Sequence, residues 1–439
     1  MGIYDYQEAF GAWDRTTAAM RRAIGEWFDM YYQQQPTADS DPCQRIPYTV
    51  VNKLVKTIFG EYKASAKSPA VEKMVEALDR QRKEAMQLAL VGGECYIKPC
   101  PEGDRFSFTL IPRKNVLIFG RDENGMPTDL GTVEKSVRGK YYYTLLERRT
   151  VDGQGFLTIE NRLYRSASAG ALGTQAALKE HPAYEKLAQR YRYPLPVGSV
   201  GLVCVKTPMV NCVDGSPDGI AVFAPAVGLI RNIDRNEAQM NGEFSRGESR
   251  IIASADLLSR KTPGGPVLED HLFVGLDEDP ERVGITVFSP ELREQSFLAR
   301  KQEYLRNVES VIGLKRGMLS DANAEDRTAT EIASSAGDYN LTVIDFQGMW
   351  ESAVQQAVEI CCVLARMYKL EVPENTQVSM DWGNGILYDE DKTWEEYKAM
   401  VASGLLKPEI ALGWRFNMPA DTEAELAAIR RKYMPSSAQ

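Results

Sequence analysis

Apolar and aromatic residues near the start of the chain recur at three- and four-residue intervals. Phe10, Trp13, Thr17, Met20, Ile24, Trp27 and Tyr31 fall on one face of a predicted long helix, which stops at the polar, proline-bearing QQQPTADSDP. The same period runs through RIPYTVVNKLVKTIFGEY, with Val51, Leu54, Val55 and Ile58 inward, and a third helix is predicted at 69 to 90. Aromatic stripes of this kind point to core or subunit contacts rather than to a cofactor. From about residue 94 to 210 the pattern changes to short runs rich in β-branched and aromatic residues: ECYIKP, FSFTLIP, NVLIF, KYYYTLLERRTV, FLTIENRLYR and VGLVCVKT. Gly, Asn and Asp turns separate them, which predicts a mostly antiparallel β region whose alternating Lys and Arg form a solvated face.

After DGSPDG the helical period returns, with Val227, Ile230 and Ile233 on one side and Arg231 and Arg235 elsewhere. Residues 256 to 290 read as a small β-containing excursion. A helix follows at ELREQSFLARKQEYLRNVESVIG, its apolar stripe formed by Leu298, Leu305, Val308 and Ile312. The next stretch, GLKRGMLSDANAEDRTATE, sets two glycines around the cationic pair Lys315 and Arg316 and ends in Thr328-Ala-Thr-Glu331. That ending is a Ser/Thr-x-x-Glu capping box, so a mobile, partly charged loop separates two helices. The second helix extends to about Leu370, and Gly337 and Gly348 inside it permit a bend. In the tail, Gly404 closes a helix, Pro408 opens another, and Thr422-x-x-Glu425 caps a last one. The predicted fold class is α+β.

Composition then narrows the function. The 439 residues are ordinary globular material, 44% hydrophobic and 26% charged, which excludes a largely disordered chain. No apolar run reaches the roughly 18 residues needed to cross a bilayer, and the start lacks a secretory signal. A myristoylation reading of Met1-Gly2 fails at Tyr6, so a soluble protein made in a reducing cytoplasm is expected. Seven cysteines without Cys-x-x-Cys spacing and only two histidines, His181 and His271, favour buried free thiols over a zinc site. A formal net charge of −9 disfavours tight, general nucleic-acid binding and leaves room only for a local basic patch. Phosphate-binding loops, dinucleotide fingerprints, zinc-protease motifs and nucleophile elbows are absent from the sequence. Gly92-Gly93 reads as a helix C-cap and turn, and Gly264-Gly265 as a plain turn. The acidic clusters Asp277-Glu278-Asp279 and Asp389-Glu390-Asp391 could hold a metal or act as acid and base, but solvated loop charge is the better reading.

The order of these blocks resembles the portal proteins of tailed bacteriophages, especially the siphophage type, over nearly the whole chain. The stretches that carry the resemblance are RIPYTVVNKLVKTIFGEY, GGECYIKPCPEGDRFSFTLIPRKNVLIFGRDENG, GSPDGIAVFAPAVGLIRNIDRNEAQMNGEF, LKRGMLSDANAEDRTATEI and DWGNGILYDEDKTWEEYKAMVASGLL. It implies a portal fold: a wing at 1–220 (N-terminal helices plus the β-rich block), a first stem helix region at 221–255 and a clip at 256–290. A second stem helix at 291–312, a tunnel loop at 313–327, a long kinked helix at 328–372 and a short helical crown region at 373–439 complete it. The resemblance further implies a ring, usually of twelve subunits, at one capsid vertex of the virion, made in the host bacterial cytoplasm. Double-stranded DNA would pass through it without base reading during packaging and ejection. The implied partners are further copies of the chain, the terminase large subunit, a head-tail connector or adaptor protein, and the major capsid and scaffolding proteins, with no membrane, enzymatic activity, cofactor or metal. Lys315, Arg316 and Arg327 would face DNA from the tunnel loop, and Arg231, Arg235 and Lys301 are the stem-channel candidates. Few cations beside several acids would give weak, repeated phosphate contacts rather than a firm grip. The competing readings are another phage head structural protein without a channel, such as a minor capsid or head-completion protein, and an enzyme acting through the acidic clusters.

Overall fold

The computed structural model describes residues 6–32, 42–103, 105–247, 250–254, 273–276, 286–288, 292–321, 329–373, 375–383, 390–416, 418, 420 and 422–434. The chain forms two compact units, Met1–Trp382 and Gly383–Gln439.

The first unit opens with α1 (Gln7–Phe10) and α2 (Ala18–Tyr32), so the predicted N-terminal helix is two pieces. Gly11 closes α1 in the left-handed region, φ +68°. The carboxylate of Asp14 then accepts the N–H groups of Thr16 at 3.1 Å and of Ile118 at 3.0 Å, fastening the intervening turn to the β region. As a result Trp13 stands 84% exposed, and Phe10 joins Tyr6, Leu117, Phe119, Val133 and Leu146 in a separate small cluster. Met20, Ile24, Trp27 and Tyr31 are buried in the main core, as their spacing predicts.

Helix α3 (Ile46–Ile58) buries Val51, Leu54, Val55 and Ile58. The helix predicted at 69 to 90 is divided into α4 (Pro69–Asp79) and α5 (Arg82–Gly92). The Arg82 guanidinium donates to the Asp79 carbonyl at 2.9 Å and lies over the rings of Phe59 and Tyr62, taking over at the point where the ladder stops. Gly93, φ +80°, caps α5 as the glycine pair suggests.

The β region is antiparallel throughout. A three-stranded sheet has the order β10 (Val203–Lys206), β2 (Glu94–Glu102), β3 (Arg105–Pro112). A six-stranded sheet runs β4 (Val116–Arg121), β5 (Pro127–Arg138), β6 (Tyr141–Val151), β7 (Leu157–Ser166), β8 (Thr174–Ala176), with β9 (Arg190–Arg192) also on β7. The long β5–β6–β7 ladders place Arg138 opposite Tyr141 and Val151 opposite Leu157, so tight hairpins join them.

Helix α6 (Val227–Arg246) lies inside the region 221–255, and the backbone turns to strand at β11 (Arg250–Ser254). β12 (Phe273–Leu276) pairs parallel to β11 and β13 (Thr286–Phe288) antiparallel to it, so the small excursion is a mixed three-stranded sheet that begins before residue 256. Helix α7 (Glu294–Ile312) buries Leu305, Val308 and Ile312, whereas Leu298 is exposed. Helix α8 (Ala329–Tyr368) is a single 40-residue helix that continues through Gly337 and Gly348. The chain then returns as β14 (Val378–Asp381), antiparallel to β1 (Lys63–Ala66). One large core joins α2 to α8, with Trp27, Leu54, Phe223, Ile233, Val308, Phe346 and Trp350 among its most enclosed members.

The second unit holds α9 (Glu390–Ala402), α10 (Pro408–Arg415) and α11 (Glu423–Tyr433). Its punctuation is as predicted: Gly404 follows α9 with φ +73°, and the Thr422 and Glu425 side chains cap α11 reciprocally. Helix and strand in separate blocks make the chain α+β. Among the described residues no helix is long and apolar enough to cross a membrane. Gly264, Gly265, His271, Arg327, Thr328 and the acidic cluster at 277–279 lie outside the described residues, as do the side chains of the cluster at 389–391.

Candidate functional site

Helices α6 and α7 run antiparallel as an arm rooted in the core. At the root, Ile230 and Ile233 pack in the same cluster as Leu305, Val308 and Ile312. Toward the tip the burial ceases and polar rungs take over. The buried Asn236 amide donates to the Phe297 carbonyl at 3.1 Å, and the Lys301 ammonium bridges Glu237 at 2.9 Å and the Gln44 carbonyl oxygen at 2.7 Å. At the outer end Arg293 grips both oxygens of Glu243, at 2.6 Å for the shortest contact, and its backbone N–H adds a 2.8 Å bond. Those bonds hold the Glu243 carboxyl below the ordinary carboxylate range and raise the Arg293 guanidinium.

The three stem candidates therefore stand differently. Arg231 is exposed but paired with Glu26 of α2. Arg235 is exposed and donates to the Asn232 side chain at 3.1 Å. Lys301 is mostly covered and lies in the seam between the two helices, because Glu237 faces it across that seam.

The segment after α7 is a folded turn in its described part, where the sequence predicts a mobile one. Gly313, φ +78°, ends the helix, and Leu314 is buried against the core. Lys315 and Arg316 follow and are exposed. The chain then doubles back at Gly317, φ +90°, with Met318 and Leu319 half-buried and Ser320 buried. What holds this shape is Glu309, 1% exposed. Its carboxylate accepts the N–H groups of Gly317 at 3.1 Å, Leu319 at 2.5 Å and Ser320 at 2.9 Å, and the Ser320 hydroxyl at 2.8 Å. Successive N–H groups converging on one anion form a nest, here filled by the chain's own acid. From the other side the Lys53 ammonium of α3 donates to the Met318 carbonyl. Gln302 accepts the Asp321 N–H at 2.8 Å, so the turn is tied to α7 a second time.

Neither Glu309 nor Lys53 emerges from the sequence pattern. The available signal for Glu309 was an acid on the apolar stripe of Leu305, Val308 and Ile312, one turn before a glycine. Such a residue has to find hydrogen bonds inside the protein.

A second buried network sets where α6 begins. Arg113, fully enclosed, pairs with Glu94 at 3.2 Å and Asp218 at 3.0 Å and donates to Thr16 at 2.9 Å and the Val116 carbonyl at 2.8 Å. Arg121 reaches the same Asp218 oxygen at 2.6 Å, and Glu94 also accepts the Gly219 N–H at 2.9 Å. Gly93 and Gly219 cross so closely that a Cβ on Gly93 would lie 2.2 Å from the Gly219 carbonyl. The chain between these anchors leads directly into α6.

The family model of the phage portal protein, SPP1 Gp6-like, matches residues 173–432, more than half of the chain and a span that includes the arm and the turn. No curated protein matches the chain.

Proposed function

Because the chain belongs to the SPP1 Gp6-like family of phage portal proteins, we propose that copies of it close into a ring around an axial channel for double-stranded DNA.

 The family is structural rather than enzymatic and supplies a component of the phage capsid. In this reading DNA enters the head through the ring during packaging and leaves through it at ejection, driven by a separate motor. The observation that carries the reading is the fixed turn at 313–321, which presents Lys315 and Arg316 to solvent at the root of the α6–α7 arm. Two cations per copy repeated around a ring touch phosphates without reading bases, and so let a duplex slide. Arg235 is the stem residue that best fits a channel wall, and Arg327 would extend the loop's contribution. The subunit number is proposed as twelve. The small sheet of β11, β12 and β13 at the tip of the arm would be the clip that meets the terminase large subunit and later the head-tail connector, and the second unit would be the crown inside the capsid. Major capsid and scaffolding proteins would surround the ring at its vertex.

Electron microscopy of the purified, assembled protein tests the ring: a perforation wide enough for B-form duplex is expected, and solid clusters would overturn the reading. Lys315→Glu with Arg316→Glu tests the loop. Rings should still form, while packaged DNA falls; an unchanged DNA yield would remove the loop from the channel.

A further inference from the structure

A single peptide group is gripped between two opposite charges at the root of this turn. The Met318 carbonyl accepts from the Lys53 ammonium of α3, and the N–H of the same peptide, on Leu319, donates to Glu309 of α7 at 2.5 Å. The peptide dipole lies with its negative end toward the cation and its positive end toward the anion, so both ions hold one orientation of one peptide plane. Two further N–H groups and the Ser320 hydroxyl complete the shell of Glu309. Glu309 is 1% exposed, so its charge is balanced by these donors instead of by water. Leu314, immediately before the cationic pair, is buried in the core.

We propose that Glu309, with Lys53, is the positioning residue of the loop: it fixes the height and direction at which Lys315 and Arg316 are presented. The inference rests on the portal reading for its consequence and on the hydrogen bonds for its mechanism. The Met318–Leu319 peptide bridges Lys53 of α3 and Glu309 of α7, so a displacement of α7 along its axis carries the two cations with it. The turn is a rigid mount on the end of a stem helix.

The test uses the full-length chain in its assembled form, with Glu309→Gln, Lys53→Met and the milder Ser320→Ala, which leaves both helices untouched. A glutamine keeps the size of the acid but removes the negative charge on which the backbone N–H groups converge and replaces one acceptor oxygen by an N–H₂. Hydrogen exchange in the peptide covering 313–321 should accelerate about 100-fold in Glu309→Gln and measurably in Ser320→Ala, with α3 and α7 unchanged. Packaged DNA should fall as it does in the Lys315→Glu, Arg316→Glu variant. Unchanged exchange at 317–320 in both Glu309→Gln and Ser320→Ala would overturn the proposal. Accelerated exchange with normal packaging, in a background where the double charge reversal does reduce packaging, would also overturn it and leave the portal reading standing. If the double charge reversal itself has no effect, the loop's role in DNA passage fails, and the exchange result alone decides whether Glu309 positions the turn.

Discussion

Glu147 of β6 offers the most quantitative test of how the β region is held. It is 3% exposed and paired with Lys98 of β2 and Arg149 of its own strand, each at 2.6 Å. Arg149 is buried as well and reaches on to the Val200 carbonyl at 3.0 Å, so the group joins the two sheets and the chain between β9 and β10. Burial pushes the Glu147 carboxyl up, but Arg149 and Lys98 outweigh it and bring the pKa from 4.5 to about 2. A depression of that size corresponds to about 3 kcal/mol of linked stability. The sign follows from the direction: with the folded-state value below the unfolded one, the contribution is complete above pH 4.5 and is lost as pH falls toward 2. Glu147→Gln removes the charge at every pH and leaves a buried guanidinium without its acid, costing about 3 to 5 kcal/mol near neutrality. Protonated glutamic acid and glutamine have nearly the same shape, so the two proteins should converge at low pH. Urea unfolding of both proteins from pH 7 to pH 2.5, with amide exchange in β6 as the local readout, measures the gap. A gap that stays constant across this range, or is under about 1 kcal/mol at pH 7, would refute the assignment of the stabilisation to the Glu147 charge.

Three further outcomes are expected. Gly93→Ala places a Cβ 2.2 Å from Gly219 at φ +80°, and should cost about 3 kcal/mol or more in a thermal melt, whereas Gly348→Ala, which meets nothing within 4 Å in mid-helix, should gain about 0.5 to 1 kcal/mol. Arg113→Leu removes the cation that pairs with buried Glu94, leaves Asp218 to Arg121, and should lower unfolding free energy by about 3 to 5 kcal/mol, measured by urea titration. A thiol reagent at neutral pH should label exposed Cys212 fastest, with that phase absent in Cys212→Ser, because burial pushes the Cys95, Cys204 and Cys361 thiols up and keeps them protonated.

The block order was legible because periodicity reports burial, and each large block here has one buried face. Val51, Leu54, Val55 and Ile58 lie inward in α3, and Leu305, Val308 and Ile312 in α7, for that reason. The Thr422 and Glu425 cap was legible because its hydrogen bonds are local. Readings failed where a local conformation interrupted a spacing that still looked helical. Phe10, Trp13 and Thr17 keep a helical interval, yet Gly11 takes φ +68° and Asp14 bonds to Ile118, more than a hundred residues away. Leu298 fits its stripe by number but lies on the part of the arm that has left the core. At the site, the positions of Lys315 and Arg316 were legible and their mount was not. Glu309 is satisfied by backbone N–H groups, which every residue type supplies, so no letter in the sequence marks its partners.

The distribution of paired charge along the arm bears on how a conduit for DNA could work. Arg231 is matched by Glu26, Lys301 by Glu237, Arg293 by Glu243, and Arg306 by Glu303 at 3.7 Å. Each released counterion adds steeply to DNA affinity, with log K falling by about 0.9 per phosphate neutralised for each decade of salt. A wall of unmatched cations, multiplied by the copies in a ring, would therefore hold a duplex too tightly to let it slide. Matching the arm's cations with acids on the same or a neighbouring helix cancels most of that field within a Debye length, while leaving the residues in place to stiffen the pair of helices. At the turn, the acid Glu309 is spent on backbone N–H groups instead of on a cation. In the proposed ring, exposed Lys315 and Arg316 follow the end of α7 directly, so a shift of that helix would move their contact with phosphate.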